Sequence, residues 1–436
     1  MYHLDSNCDP LRFCIVSTFY PPYNFGGDGI YAHRLANGLA RRGHKVSVIH
    51  SPSAYELLAK GRPLAASADH PNVTVLGLQT PLGKLGLLAV HQTGRSVLQA
   101  AALRRSVESE AFDVIHYNNV SLLGGVSAFG YGRGLKLCTL SDHWLVCPMH
   151  VLWRLNREVC TKPTCYRCTL AGGRPPQIWR RGGLMREATQ SIDAFLGPSL
   201  FSIRMHLERG IHGTMIRLPL FCDEPVFPAR KDIINGGRPY FLYAGRLEKV
   251  KGAQTIIPVL RARPEIDLLI AGVGSFQREL FALAGRARNI KFLGRVNRSD
   301  LQSLYLNCTA TIVPSLGYET FGLVVAESFS AGAPVIVHAQ GALAEMVSTY
   351  GGGLMYSDEQ QLCDGIDRLR SDRSLREHLG REGRRAYEAQ FTEDVHLKNY
   401  LGLARVLLAN KRAGRTMNPA LAPDGQTVAG LSVFFG

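Results

Sequence analysis

TATIVPSLGYETFGLVVAE, residues 309–327, decides the fold. TATIVPS reads as a buried strand, and an apolar helical run follows it, closed by Gly332 and Pro334. Glu319 therefore stands at the C-terminal end of a strand, where open α/β sheets bind ligands. Thr320 is placed to cap the helix, which leaves the amides of Phe321, Gly322 and Leu323 free to hold an anion. Glu327 comes about two turns later among Val324, Val325, Ala326 and Phe329. A carboxylate there is costly without a partner or a ligand hydroxyl. The plainer alternative is a core helix with one glutamate turned to solvent.

Outward from this stretch, strand and helix signals alternate along the whole chain. RFCIVS, KVSVIH, VTVLGL, FDVIHY, LKLCTL, AFLGPS and MIRLPL read as strands of a first sheet. YFLYAG, DLLIAG, IKFLG, TATIVP and PVIVHA read as strands of a second. Repeated strand–helix–strand units imply parallel, doubly wound sheets. The expected architecture is α/β, two Rossmann-like domains facing a cleft. Residues 1–220 form the first domain, with a cysteine-rich insertion at 141–182, and 221–239 the linker. Residues 240–411 form the second domain with its terminal helices, and 412–436 a disordered tail without periodicity.

A chain of 436 residues exceeds one ordinary core, and 46 % hydrophobic with 19 % charged residues describes a globular protein. The net charge of +15 points to anionic partners: phosphates or an acidic membrane surface. No Lys/Arg block with interleaved aromatics is present, which argues against nucleic acid. The N-terminus MYHLDSNCDPLRF has neither a basic nor an apolar signal region, and no stretch approaches the ~20 apolar residues of a membrane span. The expected compartment is the cytosol, with the anionic inner face of a membrane as an additional place of work.

Several constellations carry chemistry. Arg246 and Lys251, in GRLEKVKG, leave the end of the first strand of the second domain toward the cleft. Two cations at that spacing suit a diphosphate, although a solvated basic loop has the same composition. Gly26 and Gly27, in PPYNFGGDG, and Gly272, in IAGVGSF, allow close backbone approach to a phosphate or sugar; a simple turn needs the same glycines. Cys147, Cys160, Cys165 and Cys168 end in a C-x2-C within a short loop-rich insertion and fit a structural zinc site. Unligated thiols and a redox pair are the competing readings.

GRLEKVKG and ETFGLVVAE together resemble family 4 retaining glycosyltransferases of the GT-B fold, as do PPYNFGGDG and GRVNRSDLQSLY, over roughly Phe13 to Arg405. The cysteine insertion resembles that of a subset of this family. The resemblance implies transfer of a sugar from a nucleotide diphosphate sugar, with retained configuration and no catalytic metal, to a glycan or lipid-linked acceptor of the cell surface. It assigns Arg246 and Lys251 to the diphosphate and Glu327 to the ribose hydroxyls. Glu319, with the Phe321, Gly322 and Leu323 amides, falls to the donor sugar, and Gly26 and Gly27 close over the donor. One departure stands out. Where related sequences often carry a histidine before an aspartate, this chain reads TLSDHW, with Ser141 in the histidine's place. His143 and His116 are the candidate replacements, and His116 also reads as a satisfied strand-end histidine. The alternative function is a nucleotide-sugar-binding scaffold weakened in catalysis.

Overall fold

The computed structural model describes residues 9–59, 63, 68–225 and 238–414, together with the backbone of strands 427–428 and 431–435. The second domain is the more regular half. Its six strands lie side by side in the order Ile290–Gly294, Asp267–Ala271, Tyr240–Ala244, Ala310–Val313, Val335–His338, Gly353–Tyr356. All of its pairings are parallel. The strand order reverses between Tyr240–Ala244 and Ala310–Val313, which is where such sheets open a crevice at their carboxyl ends. These central strands are buried along their entire length, as their continuous apolar runs require.

The first domain repeats the plan with a longer sheet. Seven parallel strands run from Val73–Gly77 through Arg12–Ser17 and Val114–Asn119 to Thr214–Arg217. The helix Gly27–Arg41 follows the first strand. It buries Tyr31, Ala32, Leu35, Ala36, Leu39 and Ala40 on one face. Asp28 in its first turn and Arg41 in its last complement the helix dipole.

Three features depart from the expectation. Gly353–Tyr356 is a strand hidden behind Gly351 and Gly352, whose positive φ angles of 69° and 75° form the turn into it. The tail after Arg412 was expected to be disordered, yet Leu431–Phe435 pairs antiparallel with Thr214–Arg217 at the edge of the first sheet. Linker residues 226–237 lie outside the described residues, but its first residues Phe221 and Cys222 are fully buried in the core rather than loop-like.

The helix Glu393–Arg412, read as part of the second domain, packs on the first. His396 Nδ1 lies 2.8 Å from the Pro219 carbonyl, and Tyr400 Oη 3.0 Å from His116 Nδ1. Arg41 pairs with Glu393 at 2.6 Å, and Lys411 with Asp193 at 2.6 Å. Its apolar face thereby completes the core of the first domain, which spans Phe13, Tyr31, Leu397, Tyr400 and Leu407. Among the described residues no helix is long and apolar enough to cross a membrane.

The insertion folds as a small module: a hairpin of Trp153–Arg154 and Glu158–Val159, the helix Cys165–Ala171, and a 3-10 turn at Ile178–Arg181. Arg180 holds it together. Its guanidinium donates to the carbonyls of Leu145 (3.0 Å) and Trp144 (2.7 Å) and lies 4.8 Å from the Trp179 ring centre. Burial pulls its pKa down to about 10. Arg209 donates to the Cys160 carbonyl at 2.6 Å from outside the module.

Candidate active site

The crevice of the second domain is lined by two strand-end loops laced to each other. Leu316 and Gly317 donate their amides to the Val250 carbonyl at 2.8 and 3.1 Å. Gly252 sits at φ 77°, and a Cβ there would lie 1.8 Å from the Pro314 carbonyl oxygen, so no other residue lets the loops meet. This lacing brings Lys251 Nζ to 2.6 Å from Glu319 Oε1, where Ser315 Oγ also donates at 2.6 Å. Burial acts to raise the Glu319 pKa, but the Lys251 ammonium, the Ser315 hydroxyl and Arg246 outweigh it and hold the carboxyl below its ordinary value. Arg246 itself is exposed. Two cations were expected for a diphosphate; the structure pairs Lys251 with Glu319 and leaves Arg246 exposed.

The helix Leu323–Ser330 begins differently from the expectation. Its cap is Gly322, at φ 110°, with no side-chain hydrogen bond. Thr320 does not cap it. Its Oγ1 instead donates to the Ser141 carbonyl at 2.9 Å, and its own carbonyl accepts from Ser199 Oγ at 2.7 Å, so both bonds tie the two domains together. First-turn amides of a helix have no intrahelical acceptor, and with no capping side chain they remain available to a ligand. The Phe321 ring is buried edge-on against Phe391, which leaves its backbone as the part available to the crevice.

Glu327 accepts from Tyr305 Oη at 3.1 Å and has Arg34, from the first domain, 3.9 Å away. Burial raises its pKa, against the pull of Arg34 and Tyr305. It opens onto a pocket lined by Arg34, Asp223, Arg298 and Tyr305. Gly272 serves packing: at φ 151° a Cβ would lie 1.8 Å from the Gly245 carbonyl oxygen. Gly27 faces the second domain, since a Cβ on it would meet Leu323 Cδ1 at 2.8 Å, while Gly26 is the extended cap of the Gly27–Arg41 helix.

The first domain's contribution was only partly visible in the sequence. Asn119 Nδ2 bridges Asp28 Oδ2 and Asp142 Oδ2 at 3.2 Å each. Asp142 also accepts the Trp144 amide and lies 2.8 Å from His150 Nδ1. With a carboxylate on Nδ1, that nitrogen carries a proton. His150 sits at φ 68° and is partly exposed; its amide donates to the Cys147 carbonyl at 3.0 Å and its carbonyl accepts from His143 at 3.2 Å. Asp28, raised mainly by burial and by Asp142, is lowered by both Arg246 and His150, so it lies within electrostatic range of the two. Asp142 is lowered by the neighbouring His150, against the effect of burial.

One of the two expected histidines is corrected. His116 is fully buried, with Tyr400 Oη on Nδ1 and Thr139 Oγ1 at 3.1 Å from Nε2, and burial drives its pKa to about 3. It is a core residue with both ring nitrogens satisfied inside the fold. His143 is 1 % exposed, lies over His206 at 5.8 Å and is likewise pushed to about 3 by burial, but neither of its ring nitrogens has a hydrogen-bond partner among the described residues and Glu319 of the opposite wall acts on it electrostatically. Ser141 turns its hydroxyl to the Asn118 carbonyl at 3.0 Å. His150 was missed because nothing in the aperiodic insertion marks it; only the turn from Cys147 returns it to Asp142.

Cys147, Cys160, Cys165 and Cys168 share the insertion, and the Leu155 amide donates to Cys168 Sγ at 3.2 Å. Burial is the chief cause raising the Cys160 and Cys165 thiols, with neighbouring cysteines adding to it. Among the described residues, no group of three or more His, Cys, Asp or Glu side chains is arranged to hold a metal ion. The zinc expectation gains no support from this geometry.

Comparison with known proteins agrees with the arrangement. The family model "Glycosyltransferase Family 4" matches residues 25–218, and "Glycosyl transferases group 1" matches residues 229–386. An uncharacterized glycosyltransferase of Methanocaldococcus jannaschii is 24 % identical over 425 residues, covering 91 % of this chain and 99 % of the relative. Sucrose-phosphate synthase from Thermosynechococcus elongatus superposes with a TM-score of 0.71 at 21 % identity, over 92 % of this chain and 99 % of that one. Anabaena HepE in complex with UDP-glucose does so at 0.64 and 16 %, over 93 % of this chain and 100 % of that one. The chain is a glycosyltransferase of the family 4 type, with the GT-B fold.

Proposed function

We propose that this enzyme is a retaining, metal-independent transferase that takes a sugar from a nucleoside diphosphate sugar and delivers it to a glycan or lipid-linked acceptor in cell-surface polysaccharide or glycolipid assembly. The observation that carries the reading is the Lys251–Glu319 ion pair beside exposed Arg246 at the strand-order reversal. A diphosphate placed there meets Arg246 and Lys251, with the uncapped start of the Leu323–Ser330 helix adding its amides at Phe321, Gly322 and Leu323. These groups supply the charge neutralisation that a divalent metal gives other transferases. Glu319 then turns its free oxygen to hydroxyls of the donor sugar, and Glu327 takes the ribose hydroxyls. Gly26 and Gly27 cover the donor from the opposite domain, which excludes water from the reacting carbon.

In the transfer step the bond between the anomeric carbon and the diphosphate oxygen breaks as the acceptor oxygen bonds to the same face. The acceptor proton passes to the departing phosphate oxygen, so no protein nucleophile is required. His150, held by Asp142, offers Nε2 to a sugar or acceptor hydroxyl at the first-domain wall.

A thermal-shift screen with UDP-, GDP- and ADP-sugars tests the donor site. One of these raises Tm in the native protein, and Glu327→Ala abolishes the response; a response that survives this substitution removes the ribose assignment. Proton NMR of the product sets the anomeric configuration, and turnover unchanged by EDTA is expected. Binding without hydrolysis or transfer would move the protein to the scaffold reading.

A further inference from the structure

The helix Lys84–Thr93 buries Gly86, Leu87 and Val90, and turns its remaining leucines to water. Leu82 is 71 %, Leu85 66 % and Leu88 44 % exposed. Val97 and Leu98, just past the left-handed Gly94 cap, are 52 % and 43 % exposed. The turn Ile178–Arg181 lies against this helix, its Trp179 indole donating to the His91 carbonyl at 3.0 Å, and contributes Ile178 at 68 % exposure. Exposed apolar residues are ordinarily scattered singly; six gathered on two adjoining segments form a patch that wants a cover.

Charge on the same two segments is one-sided. No Asp or Glu occurs from His70 to Val107, and none from Val159 to Arg186. Lys84, Arg95 and Arg181 are exposed among the apolar residues. A second copy of this chain would set those cations against themselves across a self-complementary contact, which like charges oppose. A surface that is apolar at the centre, with only cations on its own two segments and its nearest acids, Glu56 and Glu187, on the flanking helices, matches one cover best.

We propose that this face docks on an anionic lipid bilayer. Leu82, Leu85 and Leu88 enter the boundary between headgroups and acyl chains, and Lys84, Arg95 and Arg181 lie over the lipid phosphates. The patch connects to the cleft through one layer of side chains: Leu87 packs with Tyr55, and Tyr55 stacks on Phe25 at 4.8 Å, next to Gly26. A lipid-linked acceptor lifted from the bilayer at this face has that short path to the reacting centre. The docking itself stands without the transferase reading; only the delivery of a lipid-linked acceptor rests on it.

The full chain is sedimented with vesicles of phosphatidylcholine alone and of phosphatidylcholine with about one third phosphatidylglycerol. Binding is expected to the second only and to weaken with salt. Leu85→Glu with Leu88→Glu lowers the partition coefficient by more than about tenfold, and Lys84→Glu with Arg95→Glu lowers it comparably. Unchanged Tm, and unchanged turnover on a water-soluble acceptor, show that the fold and the donor site are intact in these variants. Absence of binding to anionic vesicles, or binding indifferent to both pairs of substitutions, overturns the proposal. A dimer in sedimentation velocity that Leu85→Glu with Leu88→Glu disperses assigns the patch to a second copy instead. Loss of soluble turnover in the unsubstituted protein, with vesicle binding retained, refutes the transferase reading and leaves the docking surface standing.

Discussion

The two walls of the cleft are built by opposite means. In the second domain, Arg246, Lys251, Ser315 and Glu319 all lie within a few residues of two neighbouring strand ends. In the first domain, Asp28, Asn119, Asp142 and His150 arrive from three strand ends and an insertion. The first kind of site is rigid by topology, because parallel strands at a switch point must deliver their loops to one place. The second kind depends on a side-chain network, and any one member can move without unfolding the sheet beneath.

The largest test of that contrast is on the rigid wall. Arg246→Ala is expected to lower kcat by about two to three orders of magnitude with Tm unchanged, measured by release of the nucleoside diphosphate. Lys251→Ala is expected to be worse than Lys251→Ala with Glu319→Gln, because the single substitution leaves an uncompensated carboxylate facing the diphosphate. Equal or additive losses would mean that Lys251 and Glu319 do not share one site.

On the network wall, His150→Ala is expected to cost about ten- to a hundredfold in kcat/KM, the worth of one hydrogen bond to a charged or polar partner, while Tm holds. His116→Ala gives the reverse pattern. It strips Tyr400 and Thr139 of a buried partner, lowering stability by about 1–3 kcal/mol in denaturant melts while the folded fraction still turns over. A catalytic loss in His116→Ala beyond its unfolded fraction would reverse the assignment of these two histidines.

Arg180→Ala separates the insertion from both walls. Two buried carbonyls lose their donor, so limited proteolysis is expected to cut between residues 147 and 182 first. Cutting of the native protein induced by a strong chelator would make zinc a second staple, and a cutting rate that the chelator leaves unchanged would argue against it. The smallest effect is at Glu327. Its carboxyl is raised by burial, so the folded protein holds that proton more tightly and ionisation costs stability as pH rises above the ordinary carboxylate value of 4.5. Glu327→Gln therefore raises Tm at neutral pH by about 2 °C while removing the donor-induced shift, and the gain shrinks as pH falls toward that value. Glu319 has the opposite sign: its carboxyl is depressed, and its contribution is present above 4.5 and lost as pH falls below it.

The contrast also explains what could be read from the chain. Both sheets, and the residues of the second-domain wall, were legible because strand periodicity and strand-end position carry them. Gly353–Tyr356 was not, since three glycines mask a strand that only its neighbour Val335–His338 makes necessary. His116 and His143 looked available because a histidine after a strand has no sequence mark for burial. His150 looked idle because its partner, Asp142, lies eight residues away across an irregular turn. The Thr320 hydroxyl shows the same limit: a residue with capping chemistry was claimed by a carbonyl of the other domain.

The return of Glu393–Arg412 to the first domain has a mechanical consequence. The polypeptide passes between the domains twice, once after Thr214–Arg217 and once before Glu393, and the two passages touch where the Cys222 amide donates to the Phe391 carbonyl at 3.1 Å. A body hung on two adjacent pins swings about the line through them and resists twisting. An opening about that line would lift Leu323 from Gly27 and Thr320 from Ser141 together, along one arc.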